Sequence, residues 1–323
     1  MFPARRGVSR KLIHYLGGAD VASDREKGRV CLGFVGLGAM GSRMALRLMG
    51  AGYPMTVYNR TREKAEALAE QGAQAAANPR EVAAGSDVIF SSLSDDSALE
   101  AVMYGPDGLL AGVLPGTLLI DTSTVYPEVS QEIARAAWER QASMIDAPVA
   151  GTTIHLEQGS LKIFVGGEEE SYRRAKPYLD ILGNESFYMG SNGMGLRMKL
   201  VNNTLLGLGL QALAEALALG EKVGIDRNRL LDTLEKSDLV SAGHRPKLDN
   251  ARRDGYPPDF GLRLMYKDFG LIMRQAAALA VPMPATAAAQ QLCGAELGKG
   301  VEEDYSAVIR LMEELAGVGK RPY

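Results

Sequence analysis

Residues 30–62, VCLGFVGLGAMGSRMALRLMGAGYPMTVYNRTR, decide the fold, because they contain a strand, a glycine turn, a helix and a second strand in succession. Val30 to Val35 is a short apolar run, typical of a strand buried on both faces. The next residues form G-x-G-x-x-G directly before an apolar-periodic helix, which predicts a dinucleotide-binding turn rather than a plain glycine-rich turn. The predicted cofactor contacts in this turn are Gly36, Leu37, Gly38, Ala39, Met40 and Gly41.

The three glycines of this turn have separate tasks. Gly36 permits the tight bend, Gly38 lets the backbone approach a pyrophosphate, and Gly41 lets the helix pack closely on the strand. The unpaired N–H groups at the start of the helix would face the phosphates.

The second strand, Met55 to Tyr58, ends in Asn59-Arg60-Thr61, where an NAD-binding unit normally carries an acid for the ribose 2′-hydroxyl. That acid is missing here. A guanidinium suits a 2′-phosphate, because it donates charge-assisted and often bidentate hydrogen bonds. The sequence therefore favours NADP over NAD, with Asn59, Arg60 and Thr61 as contacts. The alternative is a solvated arginine at the start of a charged helix.

The composition is that of an ordinary globular protein long enough for two domains, with 323 residues, 46% of them hydrophobic and 23% charged. A net charge of -3 gives no electrostatic case for nucleic acid or an anionic membrane, and no apolar run has membrane-spanning length. Two cysteines form no metal or disulfide framework, so we expect no metal and a reducing, cytoplasmic location. Residues 1–29 are an unassigned leader, and organelle targeting by this acid-poor segment stays open.

Strand and helix patterns alternate throughout residues 30–192. Strands are expected at 87–92, 118–121, 143–146, 162–165 and 186–189, separated by helices and short connections. This alternation predicts a doubly wound parallel sheet of the Rossmann type, an α/β dinucleotide-binding domain. Because ligands bind at the carboxyl ends of such strands, the loops at 93–94, 121–127 and 147–159 should line one crevice.

From residue 193 to residue 323 the pattern becomes entirely helical. Gly195 to Gly224 indicates one long helix that is apolar nearly all round, as a buried helix would be. So long a buried helix in a small all-α domain suggests that another subunit supplies part of its cover, as in a homodimer or homotetramer. Further helices are expected to follow, the last one at 302–316. We expect this domain to serve substrate binding and oligomerisation.

The start of the long helix carries the residues best suited to chemistry. Lys199, Asn202 and Asn203 share one face because they are spaced by three and four positions. A lysine there can donate to a carbonyl oxygen while a hydride arrives and then give up its proton. Asn203 would hold the ammonium or the substrate oxygen in line. The alternative is a lysine that extends to solvent.

Five motifs, taken together, are highly specific. In chain order they are Gly36-Leu-Gly-Ala-Met-Gly41 with Met44, Asp121-Thr-Ser-Thr-Val-Tyr-Pro127, Asp146-Ala-Pro-Val149, Gly193-Met-Gly-Leu-Arg-Met-Lys199-Leu-Val-Asn-Asn203 and Tyr266-Lys267-Asp268-Phe269-Gly270-Leu271. With these motifs the chain resembles the β-hydroxyacid dehydrogenase family, which includes 3-hydroxyisobutyrate dehydrogenases, tartronate semialdehyde reductases and sulfolactaldehyde reductases.

The resemblance implies a Rossmann-type domain, an all-α domain with a long interdomain helix, dimers or tetramers, and a catalytic lysine at Lys199. It also implies carboxylate binding by Ser123 and by the loop after Val149, which contains Gly151 and Thr152. The cofactor contacts that it implies are Leu93, Ser94, Thr124 and Lys267. The chain departs from the family's S-G-G pattern at Ala150-Gly151-Thr152, and this puts the substrate in doubt more than the chemistry. The loop also lacks the arginine expected for a sulfonate.

The leading interpretation is an NADPH-dependent reductase of a small anionic aldehyde or keto acid, working reversibly as a 3-hydroxyacid dehydrogenase with Lys199 as acid and base. Asn203 assists catalysis, and Asn202 contacts the substrate. One alternative is an imine reductase, although such proteins usually replace the lysine with Asp or Tyr. The other is an NADP-binding module without catalysis, which would be expected to have lost Lys199.

Overall fold

The computed structural model describes residues 29–300 and 302–318, so nearly all of the leader, at residues 1–28, lies outside the described residues. The first half of the described chain is built on one sheet. Its strands are β1 Leu32–Val35, β2 Met55–Tyr58, β3 Gln74–Ala75, β4 Val88–Ser91, β5 Leu118–Asp121, β6 Ser143–Asp146, β7 Val149–Ala150, β8 Leu161–Gly166 and β9 Gly183–Gly190.

The first six strands confirm the doubly wound arrangement. They lie in the order β3-β2-β1-β4-β5-β6, and every neighbouring pair is parallel. The strand beside β6 in the sheet is β8, which runs antiparallel to both β6 and β7. Strand β9 lies parallel to β8. The reversal follows from the short connection after β7, because a parallel return requires a crossover of a dozen or more residues.

Helices cover both faces of the sheet, and two separate apolar clusters pack beneath them. Asn78 and Asp95 cap their helices as their residue types favour, each accepting a bond of 2.9 Å from a backbone N–H three residues later. The helices of this half are α1 Ala39–Gly50, α2 Arg62–Ala69, α3 Pro79–Ala84, α4 Asp96–Tyr104, α5 Leu109–Gly112, α6 Pro127–Trp138, α7 Thr153–Glu157 and α8 Glu169–Leu182.

The second half of the described chain is helical apart from an isolated bridge between Gly261 and Asp304. It packs around a core of its own. Its helices are α9 Met194–Lys222, α10 Arg227–Glu235, α11 Arg245–Arg253, α12 Leu262–Ala278, α13 Pro284–Leu297 and α14 Val308–Leu315, with a 3₁₀ turn at Tyr305–Ala307 before α14. The architecture changes between Gly190 and Met194; the boundaries at 192 and 193 stay a prediction.

The last predicted helix begins later than expected. Residues 302–304 are not helical, because the buried Asp304 carboxylate organises a turn instead. It accepts from the backbone N–H of Ser306 at 3.0 Å and of Phe260 at 3.0 Å, and from Lys247 Nζ at 2.9 Å. A side chain that ties three segments together has overridden local helix preference.

The long helix α9 is less buried than its composition suggests. Its apolar side chains mostly face the protein, but Val201, Leu205 and Leu219 are 56%, 72% and 64% exposed. Together with Leu208, Ala212 and Ala216 they follow a helical repeat, so they form one stripe along the helix. We call this the α9 stripe.

Of the helices within residues 29–300 and 302–318, none combines the length and the apolar character that crossing a membrane requires.

Candidate active site

The glycine turn after β1 has the geometry that the sequence predicts. Gly36 has a φ of +94°, and a Cβ atom there would lie 2.3 Å from the carbonyl oxygen of Ser92. A Cβ at Gly41 would lie 1.9 Å from the carbonyl oxygen of Gly36, so the helix packs directly on the turn. A Cβ at Gly38 would meet no atom within 4 Å, and no side chain caps the start of α1. The turn thus leaves open space and unpaired N–H groups, which fit a pyrophosphate.

The end of β2 lies against this turn. The Asn59 side chain accepts from the Leu37 N–H at 2.9 Å and donates to the carbonyl of Thr61 at 2.9 Å, so it shapes the turn. Arg60 follows it and is exposed, as Thr61 is. The structure therefore brings Arg60 beside the glycine turn with its guanidinium accessible to a ligand.

A buried carboxylate joins the loops after β4 and β5. Ser91 and Ser123 both donate their hydroxyls to Asp121 Oδ1, at 2.7 and 2.6 Å. The Ser123 oxygen also accepts from the Leu93 N–H at 2.9 Å. Burial raises the pKa of Asp121, and these hydrogen bonds oppose that shift. Ser123 is thus fully engaged inside the protein, where it fixes two of the loops that the sequence places at one crevice.

Lys267 connects the helical half to the same loops. Its Nζ atom donates to the carbonyl of Thr124 at 2.5 Å and lies 3.1 Å from Asp268 Oδ1. Ser94, the other residue expected near the cofactor here, is exposed and donates to Asp95 at 2.7 Å. The structure thus places Lys267 and Thr124 together, whereas the Ser94 hydroxyl is bonded to Asp95, the cap of α4.

The start of α9 is fixed to the sheet by the last residue of β6. Asp146 is buried, and its carboxylate accepts from the N–H groups of Gly193 at 2.7 Å and Leu196 at 2.8 Å. Burial raises the pKa of Asp146 to about 6, and the two backbone hydrogen bonds oppose this rise. Lys199 lies one helical turn beyond Leu196, so the same hydrogen bonds fix where Lys199 lies relative to the carboxyl edge of the sheet.

Lys199 is buried, and among the described residues none accepts a hydrogen bond from its ammonium. Burial lowers the pKa of Lys199 to about 8; the nearby carboxylate of Asp268 opposes the shift and the charge of Lys267 adds to it. An ammonium poised near neutral pH and without a partner is suited to pass a proton to a ligand.

The two asparagines contact each other and Asp268, so the prediction that Asn203 holds the ammonium or the substrate oxygen stays a prediction. Asn203 is completely buried and donates to Asp268 Oδ2 at 2.6 Å, while its own oxygen accepts from Asn202 at 3.2 Å. Asp268 therefore belongs to the site, although it is absent from the predicted site residues. The signal was present, since it follows Lys267 in the K-D-x-G motif.

The loop after β7 contains a short helix that the sequence did not indicate. Gly151 has a φ of +131°, and His155 Nδ1 accepts from the Thr152 N–H at 3.2 Å. Through this contact the imidazole ring caps the start of α7. His155 is exposed, and the described hydrogen bonds join Thr152 and His155 to residues of this loop rather than to Lys199.

The fold and the site define a dehydrogenase that binds a nicotinamide cofactor on an α/β half and completes its site with a helical half. Two family models match these halves. Residues 31–190 match the NAD binding domain of 6-phosphogluconate dehydrogenase, and residues 193–312 match the NAD-binding domain of NADP-dependent 3-hydroxyisobutyrate dehydrogenase. The chain belongs to the β-hydroxyacid dehydrogenase family and is an oxidoreductase acting on CH–OH groups.

Individual relatives agree with this membership. The chain is 38% identical to 2-(hydroxymethyl)glutarate dehydrogenase of Eubacterium barkeri, over 89% of this chain and 96% of that protein. The solved structure of Mycobacterium tuberculosis 3-hydroxyisobutyrate dehydrogenase with L-serine has a TM-score of 0.80 at 28% identity and covers 88% of this chain and 99% of that one. Psf3 in complex with NADP+ and 2-OPP has a TM-score of 0.79 at 28% identity, covering 87% and 99%.

Proposed function

We propose that this hydroxyacid dehydrogenase uses NADPH to reduce a small anionic aldehyde or keto acid, and that Lys199 is its general acid and base. The observation that carries the proposal is the Lys199 ammonium, buried on the face of α9 beside the carboxyl edge of the sheet and hydrogen-bonded to none of the described residues.

The cofactor, when bound along the glycine turn, supplies the hydride for the substrate's carbonyl carbon. Lys199 hydrogen-bonds the carbonyl oxygen and gives it a proton as negative charge develops there. The product is a hydroxyl group, and the neutral amine regains its proton from solvent. In the oxidative direction the neutral amine removes the hydroxyl proton.

The neighbouring residues hold Lys199 and the substrate. Asp268 lies close enough to favour the charged form of Lys199, and Asn203 fixes the Asp268 carboxylate through its amide. Asn202 stands at the exposed side of this pair and contacts the substrate. Because the Ser123 hydroxyl already donates its hydrogen bond to Asp121, Ser123 acts by fixing the loop beneath the substrate.

The preference for NADPH is supported by Arg60. It stands where an acid would contact the ribose of NAD, it is exposed, and no carboxylate replaces it at the end of β2. The Asn59 side chain is already hydrogen-bonded within the turn. The groups available to contact the 2′-phosphate of the cofactor are therefore Arg60 and Thr61.

The substrate class is inferred from the relatives. One acts on 2-(hydroxymethyl)glutarate and another is solved with L-serine, and each of these molecules carries a carboxylate and a primary hydroxyl. Thr152 and Gly151 would border the carboxylate end. We also propose a homodimer or homotetramer, because the α9 stripe leaves large apolar side chains exposed to solvent in the single chain. We do not propose imine reduction or a non-catalytic module, because Lys199 is present and buried.

The test is a panel of small semialdehydes, keto acids and 3-hydroxyacids assayed at 340 nm with NADPH and NADH, or with NADP+ and NAD+. We expect turnover of at least one carboxylate-bearing aldehyde or hydroxyacid, with the higher kcat/KM for the phosphorylated cofactor. Turnover of cyclic imines alone, or of no carbonyl compound while NADPH binds, would contradict the proposal.

A further inference from the structure

Tyr126 belongs to the first half of the chain by sequence but to the second half by packing. It lies in the loop between β5 and α6, two residues after Thr124, yet the residue is only 7% exposed. It is part of the same buried cluster as Leu200 of α9 and Phe269 of α12. A ring from the loop is therefore inserted into the core of the helical half.

Arg274 of α12 covers this ring from outside. Its guanidinium carbon lies 3.6 Å from the centroid of the Tyr126 ring, a close cation–π contact. The same guanidinium lies 3.4 Å from Asp96 Oδ2, while Asp96 Oδ1 accepts from the Tyr126 N–H at 2.8 Å. Asp96 at the start of α4 thus binds both the backbone of the loop and the arginine above it.

A second residue of α12, Lys267, also contacts the loop that carries Tyr126. Lys267 stands seven residues before Arg274, two helical turns away on one face of α12, and donates to the carbonyl of Thr124 at 2.5 Å. Helix α12 therefore holds the loop at Thr124 and at Tyr126. This loop carries Ser123 and Thr124 of the candidate site, so its position determines the geometry of the cleft.

We propose that Tyr126, Arg274 and Asp96 form an interdomain latch, which positions the loop at residues 122–126 and keeps the cleft closed over the bound cofactor. Tyr126 and Arg274 are positioning residues, since they act through the loop and through α12. The inference rests on the proposed function only in requiring that the cleft binds a nicotinamide cofactor. When the latch is broken, the fraction of closed molecules falls, and the apparent affinity for the cofactor falls with it.

The arginine is the part of the latch that substitution can remove cleanly, because its side chain is 58% exposed and the ring stays buried beneath it. Arg274→Met keeps most of the aliphatic stem but removes the charge. We expect NADPH to dissociate faster and its Kd to rise by about 3- to 30-fold, the range of a cation–π contact. Arg274→Lys keeps the cation over the ring and should restore most of the affinity.

The experiment measures NADPH binding by fluorescence, without substrate, in the full chain. Arg263→Met is the matched control, since Arg263 lies on the same helix, is 73% exposed and pairs only with Glu302 among the described residues, at 3.6 Å. We expect this control to match the unaltered protein. Arg274→Met combined with Tyr126→Leu should cost less than the sum of the two single changes, because the cation then has no ring to cover and loses only its contact with Asp96. Asp96→Asn should weaken NADPH binding in the same direction and tests the latch if Arg274→Met fails to fold.

Two results would overturn the latch: an unchanged NADPH dissociation rate in both Arg274→Met and Asp96→Asn, or losses that add fully in the double variant. Because cofactor binding is measured without substrate, the latch is judged separately from the proposed reaction. A failed substrate panel together with a faster NADPH release in Arg274→Met would contradict the reaction and support the latch.

Discussion

Lys199 combines burial with a charged neighbour of each sign, and in the proposed mechanism this balance sets the pH at which each direction of the reaction runs. Burial lowers its pKa to about 8, so the acid needed for reduction is present below that value and the base needed for oxidation above it. We predict that kcat/KM for reduction falls as pH rises through about 8, whereas kcat/KM for oxidation rises over the same range. Profiles measured in both directions check this. Two profiles that fall together would assign the titration to another group.

In the proposed function, the choice between NADPH and NADH depends on Arg60. Replacing it with Asp places a carboxylate where the 2′-phosphate would lie. We predict a loss of NADPH affinity of about 10- to 150-fold, corresponding to one charge-assisted contact, with NADH affinity spared. Isothermal titration with both cofactors measures this. Arg62→Asp is the control, since that side chain is 83% exposed and pairs with Glu66 on its own helix. Equal losses in both variants would remove Arg60 from the site.

At the scale of elements, the contact between β6 and α9 depends on the side chain of Asp146, whose charged form is disfavoured by burial. Because the folded pKa of Asp146 is raised to about 6, the folded state binds this proton more tightly than the unfolded state does. Stability from this group therefore increases as pH falls from about 6 towards 4, by about 2 kcal/mol. As pH falls over this range, we predict that the unfolding free energy of the unaltered protein increases relative to that of Asp146→Asn. Urea denaturation of both proteins measures this difference. A constant difference would contradict the assigned pKa.

Elements with a local cause were predictable, and elements held by distant partners were not. The helix after Asn78 follows from an asparagine cap with proline at the first helical position, so sequence alone locates it. The two-residue strand β7 exists only because β8 pairs with it. The late start of α14 likewise depends on Lys247 and Phe260, which are remote in sequence from Asp304.

At the scale of the whole molecule, the same distinction applies to the site. The glycine turn and the shared face of Lys199 and Asn203 follow from spacing along one chain segment. Asp268 reaches Asn203 only when α12 packs against α9, and Arg274 reaches Tyr126 only when α12 packs against the sheet half. No periodicity encodes either contact. Spacing along the chain thus identifies the candidate reacting groups, whereas the groups that hold them in place come from tertiary packing.

The assembly is tested on the α9 stripe. Leu205 is 72% exposed and belongs to this stripe, so Leu205→Asp should dissociate the proposed oligomer, because a charge is costly in an apolar interface. Multi-angle light scattering should show the variant with a lower mass than the unaltered chain. Leu279→Asp is the control, since Leu279 is 65% exposed and is not part of the α9 stripe. A monomeric unaltered protein, or equal masses for all three, would contradict the proposed oligomer.

The most direct test of the account is the rate of substrate reduction in Lys199→Met under single-turnover conditions, with the chain first loaded with NADPH. We expect a folded variant that binds NADPH normally and transfers hydride about 10²- to 10⁴-fold more slowly, because one positioned acid is removed. Lys222→Met, an exposed lysine near the other end of the same helix, should react at the normal rate. A Lys199→Met rate within a few-fold of the unaltered protein would show that Lys199 is not the proton donor.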